Sequence, residues 1–399
     1  MINIVDKENC VGCNACVQIC PKTCISMHMD KQGFSYPKVD LSKCINCGLC
    51  EKVCPVINQG NEWTEKFAYA AANKNIGIKY TSSSGGVFYA LSSRVINEGG
   101  VVFGARFNSQ WKVVHDYTET LDGLKAFQGS KYLQSEIKDS FILTKQFLEK
   151  GIKVLFSGTP CQIAGLRLFL RKDYGNQLIL VDVACHGVPS PLIWTTYIKH
   201  ISDEHGFNSE SITDISFRDK RNGWQRYGMR ISYKVNDITK ELFIPAHKNP
   251  YMQGFLKDLY IRPSCFACPA KCGKSGSHLT IADFWGIQSQ YPELYEKGFY
   301  SLVISKSKKT NILLSNGYLE NKEVDTEVAL RYNPALIKSP VKPKQYQDFW
   351  NLWPQIGVKG ISMTLATIHK PIKEILKTKL KSLLKKIIGD LKLKKLLHK

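Results

Sequence analysis

The sequence predicts a mixed α+β and α/β chain, in which a small cysteine-bound module precedes a larger domain built on a mixed sheet. Three observations predict it. Residues 10–21 and 44–55 repeat one pattern, C-x2-C-x2-C-x3-C-P. Strand, loop and helix follow one another twice, at 153–170 and again from 178 through Tyr197, the arrangement that gathers loops at strand C-termini. Alternating segments after Ile212 and around Met229 read as antiparallel strands, so the fold is mixed rather than purely doubly wound.

The repeat comes first. Cys10, Cys13, Cys16 and Cys20 precede Pro21, and Cys44, Cys47, Cys50 and Cys54 precede Pro55. This is the bacterial ferredoxin spacing for 4Fe–4S clusters, in which the fourth cysteine of each run ligates the other cluster. The expected ligand sets are therefore Cys10, Cys13, Cys16 and Cys54, and Cys44, Cys47, Cys50 and Cys20. Zinc also takes C-x2-C pairs, but two identical four-cysteine runs closed by Cys-Pro are hard to explain that way. Residues 1–57 are expected to form a two-cluster ferredoxin domain, with Ile2 to Val5 and Ile25 to Met29 pairing as strands. Cys24 falls outside both spacings and reads as a small buried residue. Asn58 to Lys66 reads as a polar linker.

Bulk properties narrow the class. A chain of 399 residues is too long for a ferredoxin alone and predicts two or three domains. Its 43% hydrophobic content suits folded cores. Fourteen cysteines behind the start MINIVDKENC, which has no basic-then-apolar leader, point to metal-committed thiols in a reducing cytoplasm. No run approaches the ~18 apolar residues of a membrane span. The formal charge of +21 is uneven: residues 370–399 hold eleven Lys against Glu374 and Asp390. A basic body without a stacking motif or nucleic-acid fold signature predicts no nucleic-acid partner.

The second module, 67–150, opens with a strand at Phe67 to Asn73 and reaches the loop Thr81 to Gly86. A helix over Val87 to Asn97 follows, stopped by Gly99-Gly100, and then strands at Val101 to Phe107 and Lys112 to Tyr117. A Ser/Gly loop feeding a helix N-terminus presents free N–H groups to an anion, although Ser and Gly also cap ordinary helices. The third module, 151–350, carries the two strand–loop–helix units, with loops Ser157 to Cys161 and Ala184 to Ser190.

Five cysteines remain: Cys161, Cys185, Cys265, Cys268 and Cys272. Four would complete a third cluster. On spacing alone, Cys161 at a helix N-terminus also reads as an activated thiolate, and Cys185 with Cys265, Cys268 and Cys272 as a zinc set.

The ordered motifs SSSGGVF, GSKY, FSGTPCQIAGL, CHGVPSP, FRDK-x2-GW, RPSC-x2-C and LTIADFWGI resemble the coenzyme F420 hydrogenase/dehydrogenase beta-subunit family, across roughly residues 67 to 350. The resemblance implies an FAD-binding domain with its own 4Fe–4S cluster. Matched by motif, it implies Cys161, Cys185, Cys265 and Cys268 as third-cluster ligands, with Cys272 a spare or a substitute. It implies flavin contacts from Ser83, Ser84, Gly85, Gly86, Ser130, Lys131 and Tyr132. Lys131 would place a charge near the ring, tuning a cofactor whose chemistry is its own; a solvated surface lysine is the alternative. His186, beside Cys185, is the candidate general acid, or simply orients its loop. Arg218, Asp219, Lys220 and Arg221, with Trp224, are candidates to hold an anionic substrate.

The expected function is an iron–sulfur flavoprotein oxidoreductase, with electrons passing between the ferredoxin clusters and FAD to act on a small-molecule substrate. A redox partner protein or small electron carrier would supply or take the electrons. The ferredoxin fusion resembles bacterial family members that accompany polysaccharide gene products, which implies envelope polysaccharide metabolism. Two alternatives stand: an electron-transfer subunit of a larger hydrogenase/dehydrogenase complex without its own substrate, and an interaction protein with structural clusters. Residues 364–399 read as a basic amphipathic tail, with Ile372, Ile375, Leu376, Leu380, Leu383 and Leu384 on one helical face. Such a tail suits peripheral contact with an anionic membrane at its inner face.

Overall fold

The computed structural model describes residues 1–307, 313–315 and 317–368. The expected membrane-binding face of the tail, from Ile372 onward, lies outside the described residues. Residues 364–368 are not tail. They end the helix Lys359–Ile368, whose Ile361 and Leu365 are buried in the largest aromatic core. Among the described residues no helix is long and apolar enough to cross a membrane.

The N-terminal module is built on its repeat. In each C-x2-C-x2-C loop the residues flanking the second cysteine take left-handed backbone angles: Gly12 (φ 69°) and Asn14 (φ 65°) around Cys13, and Asn46 (φ 53°) and Gly48 (φ 74°) around Cys47. Gly and Asn are the residues that tolerate this region, and the loops then curl into the short helices Ala15–Gln18 and Leu49–Lys52. Strand β1 (Ile25–Met29) pairs antiparallel with β2 (Ser35–Val39). Their turn is set by Asp30, whose Oδ1 accepts from the N–H groups of Gln32 and Phe34, and by Gly33 at φ 81°. The expected strand at Ile2 to Val5 does not form. Ile2 is instead buried beside Cys24, Ile25 and Cys50, and β2 takes the pairing edge.

The linker from Asn58 to Lys66 has no regular structure but is pinned: Trp63 donates its N–H to the Cys272 carbonyl at 2.9 Å. Beyond it lie β3 (Phe67–Asn73), β4 (Val101–Phe107), β5 (Val113–Thr118), β6 (Val154–Gly158) and β7 (Leu178–Val183). A separate antiparallel sheet follows, of β8 (Ile212–Asp219), β9 (Gly228–Val235) and β10 (Ile238–Pro245). Then come β11 (Leu279–Asp283), β12 (Ser301–Ser305) and β13 (Leu319–Val324). The main sheet has eight strands in the order β13-β3-β12-β11-β7-β6-β4-β5. It takes strands from both sides of position 150, so the expected boundary there divides one layer.

In that sheet β4, β6, β7 and β11 run parallel, and β3 shares their direction through antiparallel β12. Its central strands are buried on both faces, so they read as unbroken apolar runs such as Ala68–Ala72, while the edge strands β13 and β5 are partly exposed. On one face the helices Ser140–Glu149 and Pro160–Leu170 pack with Val11, Cys13, Ala15 and Val53 of the N-terminal module. The C-termini of the parallel strands therefore open toward one edge, at which the loops after β3, β6, β7 and β11 meet.

Candidate functional site

Two small cavities lie in the N-terminal module. One is walled by Cys10, Cys13, Cys16 and Cys54, with Ile2, Ile4 and Pro55. The other is walled by Cys20, Cys44, Cys47 and Cys50, with Cys24, Ile25 and Leu49. Each run thus contributes three cysteines to one cavity and its fourth to the other. Backbone N–H groups turn toward the sulfurs: Ile2 N–H to Cys50 Sγ at 3.3 Å and Asn46 N–H to Cys44 Sγ at 3.4 Å. Cys24 belongs to the second wall, its Sγ 3.4 Å from Cys20 Sγ. Among the described residues no three or more His, Cys, Asp or Glu side chains are arranged to hold a single metal ion. Thiols spaced around a cavity, with N–H donors aimed at sulfur, fit cubane clusters.

The third cysteine group forms at the sheet edge. Cys161 lies in the first turn of the helix after β6. That start is fixed by Pro160 and by a capping box, in which the Gln162 side chain accepts from the Thr159 N–H at 2.9 Å. Cys185 follows β7, and Cys265 and Cys268 come from the turn Pro263–Ala267 and its end. Cys161 interacts electrostatically with Cys268 and Cys185, and Cys265 with all three others. Val188 donates its N–H to Cys265 Sγ at 3.4 Å. Burial pushes the Cys161 thiol up to about 12 and the Cys185 thiol to about 11. Thiolate there at neutral pH needs a cationic partner, which iron supplies. Cys272 stands apart: its Sγ donates to the Ile337 carbonyl at 3.2 Å, and its charged neighbours are Glu62 and lysines rather than cysteines.

Along the same edge the two predicted flavin loops are stapled together. Ser83 Oγ accepts from the Ser130 N–H at 2.6 Å and lies 2.8 Å from Ser130 Oγ. Ser84 Oγ donates to the Tyr300 carbonyl, and Gly85 donates its N–H to Ser301 Oγ at 2.9 Å. A Cβ at Gly85 would meet the Ala71 carbonyl oxygen at 2.5 Å, so this glycine serves packing against β3 and β12. Gly86 opens the helix Val87–Asn97 without a side-chain cap. Lys131 donates to the Ala126 and Gln128 carbonyls, and desolvation pulls its ammonium down to about 7. Tyr132 packs on Phe217 and Phe255, and its hydroxyl accepts from Arg218 at 3.3 Å. His186 Nε2 pairs with Asp258 Oδ1 at 2.6 Å, and its ring stands edge-on to Phe255.

Arg218 closes this edge from β8. Its Nη1 pairs with Asp283 Oδ2 at 2.7 Å, at the end of β11, and its guanidinium stacks 4.1 Å from the Tyr227 ring centroid, with Trp224 and Trp285 at 5.9 Å. Nε and Nη2 are buried without a partner. Lys220, two residues on, donates to the carbonyls of Lys79 and Ser82 at 2.7 Å each, tying β8 to the Ser/Gly loop. Asp219 and Arg221 pair with each other and, through Arg230 and Glu241, face away from this cage. Orphaned guanidinium donors in an aromatic cage fit an anionic group such as the phosphates of a flavin nucleotide.

A family model for the C-terminal part of the coenzyme F420 hydrogenase/dehydrogenase beta subunit matches residues 151–327, and a 4Fe-4S dicluster domain model matches residues 9–58. The chain joins a 4Fe-4S ferredoxin domain to a C-terminal domain like that of the coenzyme F420 hydrogenase/dehydrogenase beta subunit. Among solved structures, a chain of the F420-reducing nickel–iron hydrogenase complex from Methanosarcina barkeri aligns over 77% of this chain and 92% of its own length, at 15% identity and a TM-score of 0.45. No curated protein matches.

Sequence reasoning missed three residues of this beta-subunit fold. Arg262 and Lys271 are buried cations beside the cysteine groups; Lys271 donates to the Cys185 and Ala335 carbonyls. Both lie within or next to the C-x2-C segment, where attention to cysteines hid them. His115 stacks on Phe156, donates from Nε2 to the Ser157 carbonyl at 3.0 Å, and accepts at Nδ1 from Ser135 Oγ, which in turn accepts from Gln162. It braces the loop that presents Cys161, a role no local motif announces.

Proposed function

We propose that this chain is the electron-transfer subunit of a larger redox complex, carrying electrons between the N-terminal clusters and a flavin at the main-sheet edge. One arrangement supports the reading: Cys10, Cys13, Cys16 and Cys54 wall one cavity, Cys20, Cys44, Cys47 and Cys50 wall another, and Cys161, Cys185, Cys265 and Cys268 interact electrostatically beyond a helix that packs on Cys13. Gly165, in the helix Pro160–Leu170 whose first turn carries Cys161, lies against Cys13; a Cβ there would stand 2.9 Å from Cys13 Sγ. Cys47, in the second cavity, is exposed and marks the outer end of the path.

Clusters exchange single electrons, and a flavin links such traffic to two-electron chemistry. The protein's part is to hold each group. Cys10, Cys13, Cys16 and Cys54 would ligate the inner ferredoxin cluster; Cys20, Cys44, Cys47 and Cys50 the outer one; Cys161, Cys185, Cys265 and Cys268 the third. Arg218, Lys220 and the N-terminus of the helix Val87–Asn97 would seat the flavin's anionic part. His186, held by Asp258, orients the Cys185 loop rather than serving as an acid. The family match supports this subunit role over an enzyme with its own small substrate, and nothing in it supports an envelope polysaccharide role.

The test is anaerobic reduction of the purified protein by a reduced ferredoxin, with flavin absorbance followed in stopped flow. The wild type should reduce its flavin, and Cys268→Ser should not, while its two N-terminal clusters still reduce. Flavin reduction at the wild-type rate in Cys268→Ser would overturn the path. Turnover of a small substrate by the isolated chain would make it an enzyme in its own right.

A further inference from the structure

Arg262 is the second-largest fully buried side chain of the described structure, with 1% exposure. It sits just before the Cys265–Cys268 pair, and its Cα is fixed by its own chain: Arg262 N–H donates to the Val188 carbonyl, and its carbonyl accepts from Cys265 N–H. Its guanidinium reaches out of the beta-subunit domain into the ferredoxin module. Nε donates to the Cys10 carbonyl at 2.7 Å, Nη2 to the Ser35 carbonyl at 2.9 Å and toward Cys10 Sγ at 3.6 Å, and Nη1 to Gln134 Oε1 at 3.0 Å. The rings of Tyr36 and Phe34 cover it, with centroids 4.3 and 5.4 Å away. Gly12 leaves the space it fills, since a Cβ there would stand 2.8 Å from Nη1.

Every hydrogen-bond partner of this cation is neutral except a candidate cluster sulfur. Arg218, the other deeply buried arginine, has Asp283. A buried guanidinium without a carboxylate is costly unless another anion compensates it. Two candidate cluster ligands lie within its reach: Cys10 of the inner ferredoxin group, toward whose Sγ it donates, and Cys161 of the third group, on which it acts electrostatically. Thiolate-bound iron–sulfur clusters supply that negative charge, and cluster potentials respond to nearby charge and to hydrogen bonds at sulfur.

We infer that Arg262 is a positioning and tuning residue set between the inner ferredoxin cluster and the third cluster, whose fixed positive charge raises their reduction potentials relative to the outer cluster. The sign follows from electrostatics: reduction adds negative charge to a cluster, and a nearby cation favours the more negative state. Electrons arriving at the outer cluster are thereby drawn inward. The inference rests on the three-cluster reading.

The test is an EPR-monitored redox titration of the holoprotein, with signals assigned through Cys13→Ser, Cys47→Ser and Cys268→Ser. Arg262→Met and Arg262→Gln should lower the potential of the inner cluster by at least tenfold in its reduction equilibrium, about 59 mV for one electron. The outer cluster should stay within twofold of wild type, and Arg262→Lys should keep the inner potential near the wild-type value. If Arg262→Met fails to take up iron, the Gln and Lys pair still decides. Unchanged inner potential in Arg262→Gln, or an equal shift of inner and outer clusters, would overturn the inference while leaving the clusters in place. A wild-type protein without a third set of iron would overturn the reading beneath it.

Discussion

At the scale of single residues, burial decides what each charged group can do. Arg218 and Asp283 form a buried pair, with side-chain exposures of 3% and 18%. Arg218→Met leaves Asp283 without its partner and should cost about 3–5 kcal/mol, read as a lower urea midpoint, and should weaken flavin retention as well. Tight flavin binding in that variant would remove Arg218 from the site. His115 gives a pH test. Burial holds its imidazole down to about 4, against an ordinary value near 6.5. The unfolded chain therefore takes up a proton that the folded protein refuses between those values. Stability should fall as pH drops from about 6.5 toward 4, by at most about 3 kcal/mol, and His115→Gln should flatten that slope in urea titrations. The cysteine runs were legible because spacing alone encodes a cluster loop. Arg262, Lys271 and His115 were not, because their roles depend on partners more than 40 residues away in sequence.

At the scale of elements, the strand–loop–helix reading placed β6, β7 and the helices after them within a few residues, since apolar runs followed by Thr-Pro or Ser-Pro leave little choice of boundary. The segment Ile2 to Val5 misled because its apolar alternation serves a cavity wall rather than a strand. Position 150 looked like a boundary because the sequence cannot show that β3 inserts between β12 and β13. The contact of the helix Pro160–Leu170 with the ferredoxin module is the most sensitive joint. Gly165→Val would push against Cys13 Sγ, and overpacking of this kind costs about 1–3 kcal/mol. It should lower iron content by loss of the inner cluster while the flavin stays bound. Full iron with an unaltered EPR spectrum would show that the joint is slack.

At the scale of the whole molecule, the ferredoxin module and the C-terminal domain are joined where a helix and an arginine of the second meet the cysteine loops of the first, and the proposed path would cross that joint. The spacing made the two ferredoxin runs legible; the joint between the modules was not, because it depends on Gly165 and Arg262 facing Cys13 and Cys10 across the fold. The claim that this chain holds three clusters and one flavin is tested most directly by anaerobic purification with iron, sulfide and flavin quantified per chain. The account predicts about twelve iron and twelve sulfide, three cubanes of four, with one FAD. About eight iron, or protein that binds no flavin, would contradict it.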